Sequence, residues 1–234
     1  MLSIIIPTLN EEKYLPKLLD SIQAQNYKDY EIIVSDGNSE DRTQEIARKR
    51  GCVVVSNKKR HPSYQRNDGA KIAKGKWLLF FDADISIPEN FLKNTIEEAE
   101  KRNLKGAGFY IKIKNSSMFY RCLVNFLNFF FWLGQPIRPT SIGIAMLADR
   151  EAHFKINGFD ESLFVAEDYD YSYRLFKQFK VKMIKSSFIY YSPRRLEREG
   201  KIKVLKKWIK LAWYVIIKGP VKKKIVDYNF GEHK

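Results

Sequence analysis

"MLSIIIPTLNEEKYLPKLLDSIQAQNYKDYEIIVSD", residues 1–36, decides the fold. Two short apolar runs, "LSIIIP" (2–7) and "YEIIVSD" (30–36), flank a segment whose Leu15, Leu18, Leu19 and Ile22 recur at helical spacing. The centres of both runs, "III" and "IIV", are continuously apolar, as strands covered on both faces are. The stretch therefore reads strand, helix, parallel strand. The pattern then repeats with a helix from about Asp41 to Arg50, "CVVVS" (52–56), a helix near 63–74, and "WLLFFD" (77–82). Four strands separated by helices predict an α/β protein with a mostly parallel, Rossmann-like sheet flanked by helices.

The second half is less regular. A helix over 89–102 and a strand over 106–113 are expected, then the aromatic-rich "MFYRCLVNFLNFFFWLG" (118–134) and "SIGIAMLADR" (141–150) as a strand. A helix from Glu167 and a strand at "FIYYS" (188–192) follow. No internal repeat or low-complexity linker interrupts the chain before residue 194, so a single unit over 1–193 with an extension over 194–234 is the economical division.

With 234 residues, 44% of them hydrophobic, the chain can bury a large core, which excludes a disordered protein. Cys52 and Cys122 both sit in apolar stretches and are expected to be buried thiols in a reducing compartment. No secretory signal pattern opens the sequence, so a cytoplasmic placement is expected. The net charge of +15 is uneven: residues 194–234 hold 13 Lys/Arg against 4 Asp/Glu. Such a surplus attracts nucleic acid, anionic lipid or phosphorylated ligands, and composition does not choose among them.

Ligands of a parallel sheet collect at the carboxyl ends of its strands. Polar segments follow all four predicted strands: "PTLNEE", "DGNSED", "NKKRHPSYQRNDG" and "DADISIP". In an extended segment Asp82 and Asp84 would point the same way and converge on one hard cation, with Ala83 leaving room for a ligand; a turn or capping pair accounts for the spacing as well. Magnesium or manganese held by one or two carboxylates keeps positions for water and phosphate. Asn10 is placed to cap a helix opening at Glu11 and Glu12. Asp36, beside Gly37, is placed to accept from a base N–H. Arg66 suits forked contacts with phosphate, whereas Lys58, Lys59, Lys71 and Lys74 read better as a solvated loop. Glu167 and Asp168 fall in the first turn of a predicted helix, where they either answer the helix dipole or take a proton from an acceptor hydroxyl.

Together, "PTLNEE", "VSDGNSEDRT", "RNDGAKIAKGKWLLFFDAD" and "GFDESLFVAEDYDYSYRL" resemble the family 2 glycosyltransferases of the GT-A fold, over roughly residues 2–192. The resemblance implies transfer of a sugar from a nucleoside-diphosphate donor, UDP- or GDP-linked, with inversion in a single displacement. It places Pro7, Thr8, Leu9, Glu11 and Val34 at the nucleoside, Asp36 at the base, and Arg66 near the base or diphosphate. It gives Asp82, Ala83 and Asp84 to the donor, with Asp84 the principal ligand of Mn²⁺ or Mg²⁺ and Asp82 shared between metal and ribose. Asp168 would be the general base, with Glu167 the second candidate. Many relatives carry a histidine after the Glu-Asp helix; this chain reads "FIYYSPRRLEREG", which leaves a third protein ligand unassigned. Arg194 and Arg195 are candidates for the diphosphate, and a solvated charge run fits them equally.

Residues 118–133 are too short and too often interrupted, at Arg121, Asn125 and Asn128, for a spanning helix. They suit a core helix or an interfacial helix near the acceptor. Over 201–218, Leu205, Trp208, Ile209 and Ala212 share one face and Lys203, Lys206, Lys207 and Lys210 the other. Such a helix, with the lysines through residue 224, fits docking on an anionic membrane surface at the inner face of the cell membrane, which makes a lipid-linked acceptor an expectation. Its alternative is packing on the catalytic unit. Two competing functions have less support. A metal-dependent nucleotidyltransferase usually carries an early glycine-rich loop, absent from "PTLNEEKYLPK". A nucleic-acid-binding module would not confine its basic surplus to an amphipathic tail, so no nucleic-acid partner is expected.

Overall fold

Seven strands form one sheet in the computed structural model, which describes residues 1–114, 117–135, 143–192 and 194–223. They are β1 (Leu2–Thr8), β2 (Tyr30–Asp36), β3 (Val53–Ser56), β4 (Trp77–Phe81), β5 (Gly106–Lys112), β6 (Ala145–Asp149) and β7 (Val181–Tyr190), in the order β3-β2-β1-β4-β6-β5-β7. The helices are α1 (Leu15–Gln23), α2 (Thr43–Lys49), α3 (Pro62–Ile72), α4 (Phe91–Lys101), α5 (Met118–Gly134), α6 (Arg150–Lys155), α7 (Glu167–Gln178), α8 (Arg194–Glu199) and α9 (Lys201–Lys218). The expected mostly parallel sheet is present. One strand departs from it: β6 runs antiparallel to both β4 and β5.

Alternation along the buried strands divides the core. Ile4 and Ile6 of β1, with Leu79 and Phe81 of β4, pack under Leu15, Leu18, Leu19 and Ile22 of α1 and Phe91 of α4. Ile5, Leu78 and Phe80 face the other way, onto Ala70 of α3, Ala152 of α6 and Tyr171 and Leu175 of α7. Close approach of α3 to β1 requires Gly69: a Cβ there would lie 2.5 Å from Cγ2 of Ile5.

The chain steps outward from β1 through β2 to β3, then returns to place β4 on the opposite side of β1. That reversal is a topological switch point, and the crevice between the carboxyl ends of β1 and β4 is where such sheets bind ligands. Thr8–Glu11 and Asp82–Asp84 emerge there.

Two boundaries depart from the sequence reading. The segment predicted as a strand to residue 150 leaves the sheet at Asp149, whose side chain accepts from the backbone N–H of Ala152 (3.1 Å) and starts α6; residues 141–142 lie outside the described residues. Helix α1 begins at Leu15 rather than Glu11, and Asn10 does not cap it. With φ of +57°, Asn10 instead crosslinks two strand ends: its side-chain carbonyl accepts from the N–H of Glu40 (2.9 Å).

Of the two placements its aromatic content allowed, core or interfacial, helix α5 is only partly in the core. Tyr120 and Val124 are buried, but Phe126 (59% exposed), Phe129, Phe130, Trp132 (56%) and Leu133 point outward. Cys122 on the same helix is exposed, contrary to expectation, while Cys52 is buried. Asn128 seats α5: its amide accepts from the N–H of Ile111 (3.0 Å) and donates to the carbonyl of the same residue (2.8 Å), satisfying a stretch of β5 beyond its pairing with β6.

In α9 the packed face also differs from the predicted one. Val204 and Val215 are buried, with Trp208 and Leu211 beside them, whereas Ile209 (69% exposed) and Trp213 (61%) face away with Ile202 and Ile217. The Ala212 side chain and residues 224–234 lie outside the described residues. Val204 packs against Tyr120 of α5, and Val215 against Val165 just before α7. An isolated bridge of Val221 to Val165 fixes the end of the helix there. No helix of the described residues is long and apolar enough to cross a membrane.

Candidate active site

The rim at the β1/β4 switch point is built from charge paired with charge. Arg66, on the buried face of α3, is 3% exposed and forks between two acidic segments. Its Nη1 donates to Oε1 of Glu167 (2.8 Å), while Nη2 donates to Oδ1 of Asp82 (2.9 Å) and to the carbonyl of Gly143 (3.2 Å). Burial alone would disfavour the guanidinium charge, but Asp82, Glu167 and Asp168 more than offset it and raise the Arg66 pKa. Arg66 therefore lies on a helix rather than in a basic loop, with its guanidinium engaged by carboxylates. It is the internal counter-ion that joins "DAD" to "ED", segments separated by 85 positions in sequence.

Asp82 and Asp84 do not converge on one cation in this arrangement. Asp82 lies just past β4 and Ala83–Asp84 form a turn, so the alternation expected of an extended segment does not apply. Asp82 pairs with Arg66. Asp84, with only 12% of its side chain exposed, accepts from Nε of Arg194 at 2.8 Å. Burial pushes the Asp82 carboxyl up to about 7 against the opposing pull of Arg66, and nearby Asp84 adds to the rise. Asp84 is raised for the same reason, with Arg194 opposing. Ala83 turns inward and is buried in the core.

Asp168 stands beside Glu167 in the first turn of α7, as predicted. Its Oδ2 accepts from the backbone N–H of Gly143 at 2.6 Å. Burial and the neighbouring Glu167 carboxylate raise its pKa, while Arg66 and the backbone bonds oppose the rise. Gly143 must be glycine for this approach, since a Cβ would lie 2.4 Å from Oδ2 of Asp168. The sequence carried no signal for Gly143, because its contact depends on the approach of β6 to α7.

Four residues expected at the nucleoside are largely committed inside the protein. Val34 sits within β2, wholly buried in the core. Pro7 and Leu9 are buried at the end of β1. Thr8 is beside Asp36 in the strand register and donates to its Oδ2 (2.8 Å). Asp36 is fully buried and carries three further bonds, from the N–H and hydroxyl of Ser39 (2.8 and 2.5 Å) and from Nε2 of Gln44 (2.7 Å). It fastens the rim, and a base N–H would have to replace one of these donors.

Glu11 meets Arg194 in a bidentate pair, with both Nη–Oε distances 3.1 Å. The Arg194 guanidinium also lies 4.1 Å from the ring centroid of Tyr14, a residue the sequence reading did not single out. The Arg195 side chain lies outside the described residues. Lys71 pairs with Asp68 at the surface but belongs to α3 rather than to a loop, while Lys59, in the loop before α3, lies over the Tyr64 ring. His61 starts α3 by accepting from the N–H of Ser63 (3.3 Å).

Among the described residues, no group of three or more His, Cys, Asp or Glu could hold a metal ion. The rim offers a smaller set, of two carboxylates. The carboxylates of Asp84 and Glu11 already converge on a positive group, the guanidinium of Arg194. One or two carboxylates plus ligand phosphates is a usual environment for magnesium.

Comparison with known proteins agrees with this architecture. The family described as glycosyl transferase family 2 matches residues 3–148. A Methanococcus voltae protein, dolichyl N-acetyl-alpha-D-glucosaminyl phosphate 3-beta-D-2,3-diacetamido-2,3-dideoxy-beta-D-glucuronosyltransferase, is 35% identical over 131 residues, 50% of this chain and 41% of that protein. In fold, the chain is similar to residues 1–349 of S. aureus TarS, with a TM-score of 0.67 at 22% identity, covering 82% of this chain and 60% of that one. It is also similar to the mannosyltransferase PcManGT of Pyrobaculum calidifontis, solved with GDP-Man and Mn²⁺, with a TM-score of 0.65 at 20% identity over 78% of this chain and 54% of the other. The chain thus spans about half the length of these proteins.

Proposed function

We propose, because the chain belongs to glycosyl transferase family 2, that it moves a sugar from a nucleoside-diphosphate donor to an acceptor hydroxyl with inversion at the anomeric carbon. The observation that carries this reading is the meeting of "DAD" and "ED" across Arg66 at the switch point, where Asp82 and Glu167 share one guanidinium. In it, residues 1–193 are the catalytic unit. Asp84, with Asp82 and Glu11 close by, would hold Mn²⁺ or Mg²⁺, which when bound neutralises charge on the leaving diphosphate. Asp168, oriented by the Gly143 N–H and raised toward neutral pH, takes the proton of the acceptor hydroxyl as that oxygen attacks the anomeric carbon. Arg66 opposes the rise that burial causes in Asp82 and Asp168.

Two observations favour a lipid-linked acceptor reached at a membrane surface, in this reading the inner, cytoplasmic face. The Methanococcus voltae relative is named for a dolichyl-linked phosphate acceptor. Exposed Phe126, Phe129, Trp132, Ile209 and Trp213 stand on two helices that touch at Tyr120 and Val204, with exposed Lys203, Lys206 and Lys210 alongside. Apolar side chains with flanking lysines suit the boundary of an anionic bilayer. The test incubates the protein with individual UDP- and GDP-sugars and Mn²⁺ or Mg²⁺, and follows binding, slow hydrolysis and transfer to membrane lipid extracts. Metal-dependent binding that weakens in Asp84→Asn is expected; no nucleotide-sugar binding under any metal condition refutes the reading.

A further inference from the structure

Arg194 presents three donors to two carboxylates of the donor rim. Nη1 and Nη2 meet Glu11, Nε meets Oδ2 of Asp84, and the Tyr14 ring lies against the guanidinium. The group is 183 residues from Glu11 in sequence and belongs to α8, outside the strands that build the rim. These contacts set the two carboxylates against a positive charge that the protein itself supplies. Two carboxylates gathered on one cation are also what a divalent ion requires, and the two cations exclude each other at Asp84.

We propose that Arg194 is a resident counter-cation of the Asp84–Glu11 pair, exchanged for the divalent cation when the donor site is loaded, and that this exchange releases the α8–α9 arm from the rim. The inference rests on the donor-site reading above. Arg194 is the first residue of α8, and α8 is tied to α9 by Lys207 Nζ on Oε2 of Glu199 (2.7 Å). Helix α9 in turn packs on Tyr120 of α5 and on Val165, three residues before Asp168. Breaking the Arg194 pairs therefore loosens an arm that reaches both the exposed aromatic helix and the segment leading to the candidate base. The freed guanidinium remains near the rim, where a diphosphate is a matching anion.

The test begins without nucleotide. Mn²⁺ titration followed by electron paramagnetic resonance compares the wild-type chain with Arg194→Gln and with Tyr14→Leu, which removes the ring but leaves every charge in place. Arg194→Gln is expected to bind Mn²⁺ roughly tenfold more tightly or better, since a like charge near the ion is gone; Tyr14→Leu is expected to fall between it and wild type. Unchanged or weaker Mn²⁺ binding by Arg194→Gln, with a wild-type melting profile, overturns the proposal. In a second arm, hydrogen exchange of residues 194–218 is followed as UDP or GDP is added with Mn²⁺. Faster exchange supports release of the arm, and unchanged or slower exchange in a protein that binds the nucleotide overturns it. Failure of the glycosyltransferase reading has a different signature, absence of nucleotide binding by either protein, and leaves the first arm readable.

Discussion

Replacing Arg66 by methionine removes a group that both "DAD" and "ED" share. The substitution keeps an unbranched apolar stem but deletes the positive charge between Asp82 and Glu167, at 2.9 and 2.8 Å, in a side chain 3% exposed. Removing one partner of a buried ion pair costs about 3–5 kcal/mol, because the other charge stays buried and unpaired. For a domain of this size each kcal/mol lowers the melting temperature by about 2–4 °C, so a fall of roughly 6–20 °C is expected. The loss should depend on pH. Asp82 and Asp168 already titrate above their ordinary values in the folded protein, and Arg66 restrains both. Without it they rise further above the unfolded value of about 3.9. The folded state then binds more protons than the unfolded state, so stability falls as pH rises through the folded pKa values. Calorimetry near pH 5 should find the variant closer to wild type than calorimetry near pH 8. Arg66→Lys, which restores charge but not the fork to Gly143, should recover part of the deficit. A variant within about 0.5 kcal/mol of wild type, as for an ordinary surface change, or a gap identical at both pH values, refutes the counter-ion assignment.

Three further outcomes are expected. Asp168→Asn should leave nucleotide-sugar binding intact and lower transfer by about 10²–10⁴-fold, as loss of a general base does. The wild-type rate should fall with decreasing pH through an apparent pKa above the ordinary aspartate value, since burial and Glu167 favour the protonated, inactive carboxyl. Gly69→Ala should destabilise the protein by about 1–3 kcal/mol in urea titration, because its Cβ would press on Ile5 across the α3–β1 contact. A double change, Ile209→Ser and Trp213→Ser, should reduce co-sedimentation with anionic vesicles without lowering the melting temperature, as both side chains face away from the packed side of α9; undiminished vesicle binding would count against the docking face.

How much was legible in the sequence follows from the range of the interactions. Strands β1, β2 and β4 could be read directly because a strand covered on both faces is largely apolar, edge strand β3 by its valine run, and the helices between them because an amphipathic helix repeats every three to four residues. The position of Glu167 and Asp168 at a helix start could be read for the same local reason. Tertiary structure decided what the charges do. Arg66 looked like a phosphate ligand by composition, and became a counter-ion because folding brought it to Glu167, 101 positions away. Asp82 and Asp84 looked like one cation site, and were divided between Arg66 and Arg194 because the strand ends in a turn. In α9, apolar residues occupy so much of the circumference that periodicity alone cannot choose the buried side. Tyr120 and Val165 selected Val204, Trp208, Leu211 and Val215, leaving Ile209 and Trp213 outside. The sequence by itself determined which segments fold and that one rim would be polar, since backbone pairing and apolar burial are encoded locally. Which carboxylate faces which cation was set only by the packing of distant elements, since an ion pair depends on distance in space and not on separation along the chain.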